Sequence, residues 1–95
     1  MLELSAETFA PHVGTTFRVL VEDANAGVSA IELAEVRLGT PQPGAPREQP
    51  FSLHFTGPAD RLLEQGTYVL DHDQLGRLDI FLVAIGPGRY EAVFN

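Results

Sequence analysis

The sequence predicts an all-β chain: an antiparallel six-strand sandwich or partly open barrel with a short N-terminal helix. Three observations predict it. Apolar and polar residues alternate over six short stretches, which is the period of a half-buried strand. Turn-forming residues separate those stretches, and only one segment has helical spacing. With 95 residues, the chain is expected to form a single domain over positions 1–95, with one modest core.

The helical segment is residues 5–12. Ser5 suits an N-cap, and Phe9 and Val13 stand at i, i+4 on one face. Pro11 and Gly14 stop the helix after a turn or two, so its expected role is to lay Phe9 over one end of the core. From Thr15 the period is two: Phe17, Val19 and Val21 alternate with Thr16, Arg18 and Glu22. Residues 23–27 supply a turn, with Asn25 and Gly27 suited to positive φ. A second strand then runs over residues 28–38, where Ile31 and Leu33 alternate with Glu32 and Ala34.

Residues 39–50 hold four prolines and two glycines, too few backbone donors for a strand, and are expected to form an exposed, mobile loop. Phe51, Leu53 and Phe55 alternate with Ser52, His54 and Thr56 as the third strand. Gly57-Pro58 breaks it, and residues 59–64 suit a single helical turn. Gly66 opens a fourth strand through His72, residues 73–76 turn the chain, and residues 77–85 make the fifth. From Ile80 both faces of that strand are apolar, which predicts a central strand or one that passes a barrel corner. Gly86-Pro87-Gly88 reverses the chain into a last strand, where Tyr90, Ala92 and Phe94 alternate with Glu91 and Val93. The aromatics Phe17, Phe51, Phe55, Tyr68, Phe81, Tyr90 and Phe94 mostly fall on core-facing phases and are expected in the core, Tyr68 and Tyr90 being the two best suited to reach a surface. The last strand carries no proline or lysine to blunt an edge, so it is expected either to be paired or to be offered to a partner.

Composition removes several classes of function. The net charge is −7, and the six cations, all arginine (Arg18, Arg37, Arg47, Arg61, Arg77, Arg89), are scattered. Nucleic acid is therefore not an expected partner. The absence of cysteine excludes disulfides and thiolate sites, and the absence of lysine excludes Schiff-base chemistry and a P-loop lysine. The longest apolar run, residues 80–85, is far short of the ~20 residues of a membrane span. The opening residues lack a basic leader with an apolar core, so a cytoplasmic location is expected.

Three constellations suggest chemistry. Asp71-His72-Asp73, with His54, offers metal-ligating groups, but alternation sends His72 to the opposite face from the two aspartates, which favours a solvated strand end and no metal. Ser52 and His54 share a strand face, yet no serine sits in a nucleophile elbow, so no catalytic residue is assigned. Carboxylate pairs, Glu32 with Glu35 and Asp71 with Asp79 across a hairpin, are ordinary among thirteen acidic residues. Gly86-Pro87-Gly88 lies between strands and is no phosphate cradle.

The segments Gln65-Gly-Thr-Tyr-Val-Leu-Asp-His72, Ile80-Phe-Leu-Val-Ala-Ile-Gly-Pro87 and Arg89-Tyr-Glu-Ala-Val-Phe-Asn95 resemble a family of small bacterial proteins of unknown function. Echoes at residues 9–17 and 50–58 extend the likeness over most of the chain. Members are often encoded beside phage-tail-collar-like proteins, so the resemblance implies a role in assembling or chaperoning a tail-like fibre. It supplies no functional residues to carry over.

The expectation is a non-enzymatic binding or assembly module acting through a sheet edge or the proline-rich loop, without a cofactor. Its expected partner is a protein, collar- or fibre-like under the resemblance, and a homo-oligomer is compatible. The candidate partner-binding residues are Arg89, Tyr90, Glu91, Val93 and Asn95 on the last strand. Two alternatives stand beside it: a small-ligand carrier with a barrel pocket, and a hydrolase-type enzyme using His54 and His72.

Overall fold

The computed structural model describes residues 4–20, 30–40, 43–44, 49–59 and 63–94. Helix α1 (Ala6–Phe9) starts in a capping box. The Ser5 hydroxyl accepts the Thr8 N–H, and the Thr8 hydroxyl accepts the Ser5 N–H. A 3₁₀ turn (Ala10–His12) holding Pro11 continues it, and Gly14 at φ +90° redirects the chain. Phe9 is fully buried, as its spacing predicts. Val13 is exposed, because the helix ends at Phe9 and the backbone of Val13 is already extended.

Six strands follow: β1 (Thr16–Leu20), β2 (Ala30–Leu38), β3 (Phe51–Thr56), β4 (Gly66–His72), β5 (Gly76–Gly86) and β6 (Arg89–Phe94). All neighbours are antiparallel, and the order β1-β2-β3-β6-β5-β4 closes on itself through β1 and β4. Two three-strand meanders thus join along β3·β6 and β1·β4. Of the two architectures the sequence leaves open, sandwich or partly open barrel, the strands form the barrel, and it is fully closed. β6 hydrogen-bonds to β3 on one side and β5 on the other, so the last strand is paired inside and offers no edge.

Alternation along each strand fills the interior. Phe17, Val19, Ile31, Leu33, Leu53, Phe55, Leu70, Ile80, Leu82, Tyr90 and Ala92 form one buried cluster. Phe17 meets Phe55 edge-on at 5.5 Å between centroids. These side chains occupy the space that a carrier of small ligands would have to leave open.

Two bulges break the alternation. Between Leu33 and Glu35 the register with β3 shifts, so Ala34 is extra and Leu33 and Val36 both face inward, opposite Phe55 and Leu53. A second shift lies between Ala84 and Gly86, leaving Ile85 outside. β5 pairs with β4 as far as Leu82 and with β6 from Val83, which is the corner that the apolar run predicts. The burial expected for Phe81 is not found: it is 50% exposed on the outer wall, opposite Thr67, while Ile80 and Leu82 point inward.

Each end of the barrel carries a cover. At one end Phe9 lies 6.1 Å from both Phe51 and Phe94, which stack on each other at 4.6 Å. At the other end Leu63, which precedes β4, is buried, and its N–H is donated to the Tyr90 hydroxyl at 2.9 Å. Tyr90, on a core-facing phase in the sequence, is an interior residue with 1% exposure, and its hydroxyl reaches the buried Leu63 amide and not a surface.

The turn expected at residues 23–27 lies outside the described residues, as do residues 60–62 of the expected 59–64 turn and residues 41–42 and 45–48 of the 39–50 loop. The base of that loop is clamped. Gly39 donates its N–H to Pro50 O at 2.8 Å, and the Gln49 amide bonds both Gly39 O and Pro50 O. Among the described residues no helix is long and apolar enough to cross a membrane.

Candidate functional site

The outer wall formed by β2, β3 and β6 carries the most concentrated polar chemistry outside the core. Register places Ser52 between Arg37 and Val93, and His54 between Glu35 and Glu91. Because strand side chains alternate, all six point outward, beside an inward layer of Phe51, Leu53 and Phe55. A shallow cleft opens here, lined by Leu38, Pro50 and Val93 together with Ser52, His54 and Glu91.

His54 Nε2 lies 3.3 Å from Ser52 Oγ and 3.2 Å from Glu91 Oε2. A serine relay needs the hydroxyl on one ring nitrogen and the carboxylate on the other. Here one nitrogen faces both. When Nε2 carries its proton it donates to the Glu91 carboxylate and cannot take the Ser52 proton. The group is thus a polar clamp that fixes the ring on the wall. Arg37 donates to the Glu35 carboxylate at 2.5 Å, so its charge is satisfied beside the cleft.

Two large apolar side chains share this cleft in solvent: Leu38 at 66% and Val93 at 53% exposure. Leu38 stands in the inward phase opposite Phe51, but the interior ends there and the side chain is left at the rim. Val93 points outward by alternation.

The candidate residues of the last strand separate accordingly. Glu91 and Val93 line the cleft. Arg89 is exposed at the far end of β6 beside Gly86 and Thr56. Tyr90 is inside the barrel, and Asn95 lies outside the described residues.

The structure does not bring His54 and His72 together. They stand on opposite strands of the barrel, His54 on the outer wall and His72 inside at one end. His72 was expected at a solvated strand end, but it is buried against Phe17, with ring centroids 4.5 Å apart. Asp71 and Asp73 point outward as alternation requires, and both take the Arg18 guanidinium at 2.8 Å. Those contacts hold Arg18 protonated still more firmly, through hydrogen bonds to Asp71 and then Asp73. Among the described residues no three acidic or imidazole groups converge on one point. Asp79 faces Val69 and not Asp71, whose partner across the hairpin is Arg77.

Sequence reasoning pairs Ser52 with His54 but misses Glu91 as their partner and Leu38 as an exposed residue. The first needs the β3·β6 pairing, between strands far apart in sequence. The second depends on where the barrel interior ends, since Leu38 stands in the inward phase beyond the Ala34 bulge and is exposed only because the interior stops short of it.

Fold and site together define a small closed six-strand β-barrel, packed within and carrying its accessible chemistry on the outer wall. The chain belongs to a family of domains of unknown function (DUF6916), which matches residues 4–94. No curated protein and no solved structure is a significant match.

Proposed function

We propose that this barrel is a binding module that docks a protein partner on the β2–β3–β6 wall, with no chemistry of its own. The observation that carries this reading is the exposure of Leu38 and Val93 in the same cleft as the half-buried Ser52–His54–Glu91 clamp. Single exposed apolar residues are ordinary on a protein surface. Two that line one cleft, together with polar groups already held in place, have the layout of an interface patch with fixed hydrogen-bonding handles. Because closure leaves no strand edge, docking proceeds by side chains on the wall and not by strand addition. The family resemblance adds a narrower form of this proposal, in which the partner is a collar- or fibre-like protein of a phage-tail-like assembly.

The test is affinity capture from the native host with the wild-type chain, Leu38→Glu and Val93→Glu. Both substitutions sit in solvent and leave the core intact. Stoichiometric capture of one protein by the wild type, lost in both variants, supports the wall; recovery of a collar- or fibre-like protein supports the narrower form. Undiminished capture by both variants refutes the wall as the docking surface.

A further inference from the structure

His72 is the buried polar side chain among the described residues, and its hydrogen bonds tie two segments at one end of the barrel. Its Nδ1 accepts the backbone N–H groups of Gln74 at 3.1 Å and Leu75 at 3.2 Å, the two amides inside the β4–β5 turn. Nδ1 therefore carries no proton, and the neutral ring holds its hydrogen on Nε2. Nε2 donates to Thr15 Oγ1 at 2.9 Å, and Thr15 Oγ1 donates in turn to the His12 carbonyl at 2.5 Å. The same carbonyl accepts the Thr15 N–H, so this chain of bonds links His72 to the 3₁₀ turn and the start of β1, where Gly14 donates its N–H to Leu33 O at 2.7 Å and Thr15 O accepts the Leu33 N–H at 3.0 Å.

A second proton has one place to go, Nδ1, where two N–H donors already point. A protonated ring must turn away to find an acceptor, which frees the turn amides and breaks the bond to Thr15. The charged groups facing the ring do not offset this. The His12 imidazole lies edge-on at 4.7 Å, and Arg18 of β1 adds a positive charge. Asp71 of β4 and Asp73 of the turn favour the charged ring, but both are engaged by Arg18. Burial, the largest cause, followed by His12, holds the ring below the usual imidazole range.

We propose that His72 is an acid-sensitive latch, whose protonation at Nδ1 releases the 73–75 turn and the N-terminal segment that carries Phe9 over the barrel end. The inference stands apart from the docking wall, which lies on other residues.

Hydrogen exchange of the full chain by NMR, from pH 7.5 to 5.5 and normalised to intrinsic rates, tests it. Uptake of one proton on opening predicts that protection of Gly14, Gln74 and Leu75 falls about tenfold per pH unit below about 6.5, while Leu53 and Phe55 in β3 hold theirs. In His72→Asn, whose side-chain oxygen can accept the same two N–H groups without titrating, the fall disappears. Constant protection in the wild type, or an unchanged fall in the variant, overturns the proposal. If the variant does not fold, the ring ¹⁵N shifts of the wild type decide. Protonation of Nδ1 together with loss of the Gln74 and Leu75 protection supports the latch, and protonation that leaves those amides unmoved refutes it.

Discussion

A methyl group on residue 88 would lie 2.5 Å from Gly57 O and 3.2 Å from Ala59 Cα, at a backbone φ of +67°. Gly57 also donates its N–H to Gly88 O at 2.7 Å, so this contact ties the residues after β3 to the β5–β6 turn. Gly76 has the same hand, φ +76°, but open space around it. Urea unfolding is therefore expected to show a loss of about 1 kcal/mol for Gly76→Ala, the left-handed cost alone, and more than about 2 kcal/mol for Gly88→Ala. Tyr90→Phe leaves the buried Leu63 N–H without its acceptor, and a loss of about 1–2 kcal/mol is expected by the same method. His72 adds a pH dependence with a definite sign. Its folded pKa is lowered, so protons bind the unfolded chain more readily; its contribution to stability is complete above about pH 6.5 and declines as pH falls below that value. The midpoint urea concentration of the wild type should drop between pH 7.5 and 5.5, and that of His72→Asn should not show this drop. At this scale the glycine turn and the inward phase of position 90 are legible in the sequence. The partner of the tyrosine hydroxyl is not, because it is a backbone group 27 residues away.

At the scale of elements, two phenylalanines show where alternation suffices and where it fails. Phe9 lies on a helix too short to stand on hydrogen bonds alone; its place is fixed by the Ser5–Thr8 capping box and by contact with Phe51 and Phe94. Phe81 lies in a run apolar on both faces, where the period of two gives no phase, and the corner of β5 decides its exposure. Phe9→Ala should cost about 3–5 kcal/mol, while Phe81→Ala should leave the unfolding midpoint nearly unchanged. The strands β3 and β4 match their expected limits because proline or glycine bounds them sharply. The bulge at Ala34 had no signal in a sequence whose apolar residues there, Leu33, Val36 and Leu38, fit neither period cleanly.

For the whole molecule, six alternating strands in so short a chain led to a barrel or a sandwich, and closure follows from two long-range pairings, β1·β4 and β3·β6, that no local pattern specifies. Closure has a functional consequence. It removes the sheet edge, buries Tyr90 and leaves Glu91 and Val93 as the accessible part of the last strand, beside a histidine that sequence reasoning places on the same wall for a different reason. A partner that reads this barrel does so from outside, across β2, β3 and β6. The most direct measurement is photo-crosslinking in the native host from a reactive side chain placed at position 93, with position 79 on the outer face of β5 as the control. A discrete crosslinked partner is expected from position 93 and none from position 79. Crosslinking from position 79 alone, or equally from both, would contradict it.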